Sequence, residues 1–195
     1  MKKSCFLPIL SPEFVCYNHI TFANAIIRAN VMEDWQILML SKYINCYYKE
    51  ESTDHKFIIS MYDHWCTSQK IMQKQSINLL KEIYQSQKIN IVLIIKKFLL
   101  NNCYVFGQCN RSYVEKNDNI ELSLFNYVVT GFDDINRQFT IYGLNAKENF
   151  YCVKIDYETF ASALFDTLKP NIELTLWRYN LDACIDFDIQ NIAFE

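Results

Sequence analysis

The chain has 195 residues, 51% of them hydrophobic and 15% aromatic, with a net charge of −3. That is enough apolar material for a buried core in one domain, or in one domain plus part of another, and it excludes a disordered chain. Lysines are dispersed and no basic run stands out, so nucleic-acid binding has little electrostatic support; the three glycines (Gly107, Gly131, Gly143) cannot build a phosphate-cradling loop of the Walker or Rossmann type.

Residues 5–10 read as an extended arm, with Pro8 keeping it out of a sheet interior. A helix is expected from Glu13 to about Asn30, entered at Ser11-Pro12 and buried through Val15, Ile20, Ala23, Ile26 and Ile27. Cys16 falls in its first turn, where unpaired N–H groups and the positive end of the helix dipole favour a thiolate. Residues 32–48 suit a helix, or a helix followed by a strand, and residues 50–56 read as a polar loop. Phe57–Tyr62 is a short apolar run with strand character. Ile77, Leu80, Ile83 and Tyr84 recur at helical spacing, and Asn90 is placed to cap a further helix through Asn102 with Lys96 and Lys97 facing outward.

Strands dominate from there. Cys103–Cys109, Leu122–Gly131, Gln138–Gly143, Tyr151–Ile155 and Glu173–Tyr179 each have strand character, with a turn at Asp133–Arg137 making a hairpin of the second and third. Asp156 can cap a short helix that Pro170 stops. Helices first and an antiparallel sheet second is an α+β order. The expected division is one domain over residues 1–180, with residues 181–195 as a possible start of a C-terminal extension.

Eight cysteines stand at 5, 16, 46, 66, 103, 109, 152 and 184 without a C-x-x-C pair, beside only three histidines (His19, His55, His64), so no metal site is expected. The apolar run near Met1 is too short for a signal peptide, and no segment approaches the roughly 20 apolar residues that span a bilayer. Reduced thiols, a cytoplasmic location and no membrane partner are the expectation.

Several motifs go further. Leu7-Pro8-Ile9-Leu10 followed by Cys16-Tyr17-Asn18-His19, then Tyr104-Val105-Phe106-Gly107, Tyr127 to Asp134 and Phe139-Thr140-Ile141-Tyr142, together resemble the N-terminal domain of butirosin biosynthesis protein H and its relatives. That family has a papain-like cysteine fold and is related to the double-glycine-leader cysteine peptidases. The similarity covers about residues 5–175. It implies acyl transfer in natural-product biosynthesis of the nonribosomal-peptide type, from an acyl or peptidyl carrier protein thioester to a small-molecule or peptide acceptor, without a cofactor and with Cys16 matching the nucleophile. It also implies a histidine near the start of the strand that ends in Gly131-Phe132-Asp133-Asp134, where this chain has Asn126 and no histidine follows His64. Asn145 is the candidate for the downstream acidic or amide partner. The oxyanion glutamine of the peptidase relatives has no counterpart before Cys16. His19, three residues after Cys16, either lowers the thiol pKa as a neighbouring cation or serves in capping and packing. Two other readings stand beside acyl transfer: a degenerate pseudoenzyme acting as a binding or accessory module, and a leader-peptide peptidase.

Overall fold

A computed structural model describes residues 3–12, 18–30, 44–51, 54–61, 72–86, 90–115, 123–145 and 149–179. Strand β1 is Ser4–Phe6, and helix α1 is Asn18–Asn30. Strands β2 (Ile44–Glu51) and β3 (Asp54–Met61) form a two-stranded antiparallel sheet of their own. Then come β4 (Met72–Leu80), α2 (Lys81–Ser86), α3 (Ile91–Leu100), β5 (Tyr104–Asn110) and the single turn α4 (Ser112–Glu115). The chain continues through β6 (Leu124–Asp133), β7 (Gln138–Leu144), β8 (Phe150–Asp156), α5 (Tyr157–Phe165) and β9 (Asn171–Tyr179).

The main sheet is antiparallel, in the order β4-β9-β5-β6-β7-β8, and β1 also pairs with β6. β5 takes β6 as far as Val129, and β1 takes the next stretch, Gly131–Asp133, so the two lie end to end along one side of the same strand. The α+β class expected from the sequence is therefore present.

Alternation along the strands divides the apolar side chains between two faces. Phe125, Tyr127 and Val129 of β6 join Ile95 and Leu99 of α3 and Phe160 and Leu164 of α5 in the larger core. Val128 points the other way and joins Tyr104 and Trp177 against Phe22, Ala23, Ile26 and Ile27 of α1. The sheet is thus a middle layer with helices on both sides. Gly107 belongs to that packing: a side chain there would collide with the ring of Tyr127.

Local signals hold where the deciding atoms are close in sequence. Asn90 Oδ1 accepts from Leu93 N at 3.2 Å and starts α3; Asp156 Oδ1 accepts from Thr159 N at 2.8 Å and starts α5. The helical spacing of Ile77, Leu80, Ile83 and Tyr84 misleads. Residues 72–80 are strand, paired along their whole length with β9, and only 81–86 are helical. Ile77 and Leu79 pack toward the core, whereas Leu80 and Ile83 are 52% and 43% exposed, so strand alternation decides burial there. The polar loop expected at 50–56 is mostly ladder, with Glu50 opposite His55 and Glu51 opposite Asp54. Lys96, expected to face solvent, is buried.

Candidate functional site

The direction of α1 follows from its contacts. At its C-terminal end, the Asn30 amide donates to Ile26 O at 2.7 Å and to the Tyr104 hydroxyl at 3.1 Å, and that hydroxyl donates to Pro8 O at 2.5 Å. Burial pushes the Tyr104 hydroxyl pKa up to about 12 against the opposing effect of the Asn30 hydrogen bond, so it stays a donor. Two turns earlier, the Phe22 ring lies 5.6 Å from Phe106 and 6.1 Å from Phe150. Tyr104, Phe106 and Gln108 follow one another on the same face of β5. α1 therefore runs with its N-terminus toward the end of the sheet that carries Gln108. From Thr21 to Ile27 every residue of α1 is buried, so the helix is enclosed on all sides.

Asn126 is directly opposite Gln108 in the β5–β6 ladder, on the face that α1 covers. Gln108 Nε2 donates to Asn126 Oδ1 at 2.9 Å. Lys169, in the segment between α5 and β9, donates to Gln108 Oε1 at 3.0 Å and to Glu173 Oε2 at 2.8 Å. The carboxamide of Asn126 does not titrate and cannot take a proton as an imidazole would. Gln108 and Lys169 were not foreseen. Their one signal in the sequence is a polar residue interrupting the apolar face of β5, and its meaning needs the register with β6.

Cys16 and His64 lie outside the described residues, as do Cys66 and residues 181–195; His19 is in α1, with its side chain outside the description. Asn145 closes the β7–β8 loop: its N–H donates to Asn149 O at 3.1 Å, and its Oδ1 accepts from Asn149 N at 2.9 Å. That role occupies the amide oxygen a catalytic partner would offer. Cys109 is fully buried, and burial pushes its thiol up to about 12, outweighing the nearby Arg111, so it is not a nucleophile at neutral pH.

Asp133 and Asp134, which open the turn expected from the sequence, do different things. Asp133 Oδ1 accepts from Ile135 N at 2.9 Å and shapes the turn. Asp134 receives the buried Lys96 ammonium at 2.5 Å and the Tyr157 hydroxyl at 2.8 Å. Lys96 also lies 5.0 Å from the Phe132 ring centroid and 5.5 Å from that of Tyr157.

A cleft of about 580 Å³ opens at the opposite end of α1, lined by Pro8, Asn30, Asn101, Tyr104, Arg178 and Tyr179 among others. Asn30 and Tyr179 are the last described residues before 31–43 and 180–195. Among the described residues no group of three or more His, Cys, Asp or Glu could hold a metal ion, and no helix is long and apolar enough to cross a membrane. Comparison with protein-family models, with curated proteins and with solved structures finds no match.

Proposed function

We propose that this chain handles an acyl group presented as a thioester on an acyl or peptidyl carrier protein, in a papain-like framework with Cys16 as the nucleophile. The observation that carries the reading is the course of α1. It is enclosed, it lies against one face of an antiparallel sheet, and its N-terminal end is directed toward Gln108 and Asn126. Cys16 precedes the first described residue of that helix by two positions. The motifs running from Leu7-Pro8 to Phe139-Thr140-Ile141-Tyr142 supply the chemistry by resemblance, and Asn126 occupies the strand where the resemblance implies a histidine. The acceptor would be a small molecule or a peptide, and the location cytoplasmic.

The second reading, a non-catalytic binding module of the same framework, is favoured by Asn126 itself. A carboxamide held by Gln108 offers hydrogen bonds and no base, and a thiol without a base lacks most of its activation.

Alkylation separates the two. Native protein is treated with iodoacetamide from about pH 5 to about pH 9, and the modified cysteines are mapped. Buried Cys109 is the internal reference for a sealed thiol. The catalytic reading expects Cys16 to react with an apparent pKa well below about 8.5 and to carry the acyl group after incubation with loaded carrier protein. An ordinary pKa, or an acyl adduct that survives Cys16→Ala, sinks it.

A further inference from the structure

A carboxamide has two chemically opposite ends, and its neighbours decide which end faces where. Lys169 decides it for two residues in succession. Its ammonium can only donate, so the end of Gln108 at 3.0 Å from Nζ is the carbonyl oxygen. Gln108 Nε2 then faces β6, and the atom of Asn126 that receives it at 2.9 Å is Oδ1. Asn126 Nδ2, with two N–H groups, is left on the remaining side, and no described residue accepts from it. Glu173 holds the same ammonium from its other side at 2.8 Å, so the head of this chain of hydrogen bonds is anchored twice. Successive donation along Lys169, Gln108 and Asn126 polarises the last amide and strengthens it as a donor.

We propose that the Asn126 Nδ2 group is a binding point for a neutral carbonyl oxygen, the acyl oxygen of a thioester ligand. A neutral acceptor is sufficient there: the Lys169 cation is already compensated by Glu173, so the site needs no anionic ligand for charge balance. Asn126 is half-buried, on the face toward which the N-terminal end of α1 is directed. The inference rests on the binding half of the function proposed above and not on its chemistry.

The test is a titration followed by nitrogen–proton NMR at the Asn126 side-chain amide, using the full chain carrying Cys16→Ala. Failure of thiol chemistry and failure of the binding point then read out separately. The probe is S-butanoyl-N-acetylcysteamine, with N-acetylcysteamine and butyrate as the arms that keep only the tail amide or only a carboxylate. The thioester is expected to shift the Asn126 amide signals saturably, and the other two to leave them in place. Gln108→Glu is the decisive variant. Its carboxylate accepts from Lys169 and from Asn126 Nδ2 together, which turns Asn126 Oδ1 outward and weakens the thioester by about tenfold or more. Should Gln108→Glu fail to fold, Lys169→Met releases the same orientation from its other end and weakens binding several-fold. Unmoved Asn126 signals, equal shifts with N-acetylcysteamine or butyrate, or unchanged affinity in the variants each overturn the proposal.

Discussion

Two lysines head the two polar networks that matter most, and they end differently. Lys96 is enclosed. Its ammonium meets Asp134 and lies against the rings of Phe132 and Tyr157, and Tyr157 returns its hydroxyl to the same carboxylate. That network ties α3 and α5 to the β6–β7 turn. Lys169 starts at the surface, 40% exposed in its side chain, and passes its hydrogen bonds inward through Gln108 to an amide whose own N–H groups meet no acceptor among the described residues. A closed network is expected to hold structure, and an open one to hold a ligand.

The sharpest way to break the comparison is at Asp134. Removing it with Asp134→Ala strands the Lys96 cation among aromatic rings. A loss of about 3 kcal/mol is expected in urea unfolding, the low end of the range for broken buried pairs because Asp134 is 28% exposed. Lys96→Met combined with Asp134→Ala is expected to lose less than Asp134→Ala alone, since no charge is then left behind. A double change that loses as much as both singles summed would show the pair to be uncoupled.

Acid titration of stability comes next in size. Burial works against the Asp134 carboxylate, but hydrogen bonds from Lys96 and Tyr157 and the Lys96 charge outweigh it and hold its pKa below the usual value. A depressed folded-state pKa means the contribution is complete above the unfolded value of about 3.9 and is lost as pH falls through the lower folded value. Asp134→Asn is expected to remove that part of the acid slope and leave the profile above about pH 5 flat relative to the parent. The Lys169 network is expected to do least for stability. Lys169→Met breaks an exposed pair with Glu173 and should cost under about 1 kcal/mol in the same urea experiment, although it weakens the ligand. A loss as large as that of Asp134→Ala would make the second network structural too.

How far the sequence could be read follows from where each deciding partner sits. The caps Asn90 and Asp156 reach three residues ahead, and the β6–β7 hairpin closes over a four-residue turn, so all three are legible. β4 was not, because its strand character comes from pairing with β9, as in Ile77 opposite Leu174. Lys96 was misread for the same reason: its partner lies 38 residues on. Of the site, Asn126 was singled out by resemblance alone, while Gln108 and Lys169 are separated from it by 18 and 43 positions and meet it only in the folded sheet. The resemblance marked the strand, and the register supplied what the amide does there.

The end-to-end arrangement of β1 and β5 along β6 has a consequence for the newborn chain. Ser4–Phe6 emerge from the ribosome long before Gly131–Asp133, the residues they pair with. A segment made more than a hundred residues earlier is therefore seated only after its partner appears, and until it docks one side of β6 beyond Val129 stays open. Such contacts, distant along the chain, are slow to form, and an open ladder invites a neighbouring chain. During synthesis, the time spent waiting for a three-residue strand is when this protein is most exposed to association with its own copies.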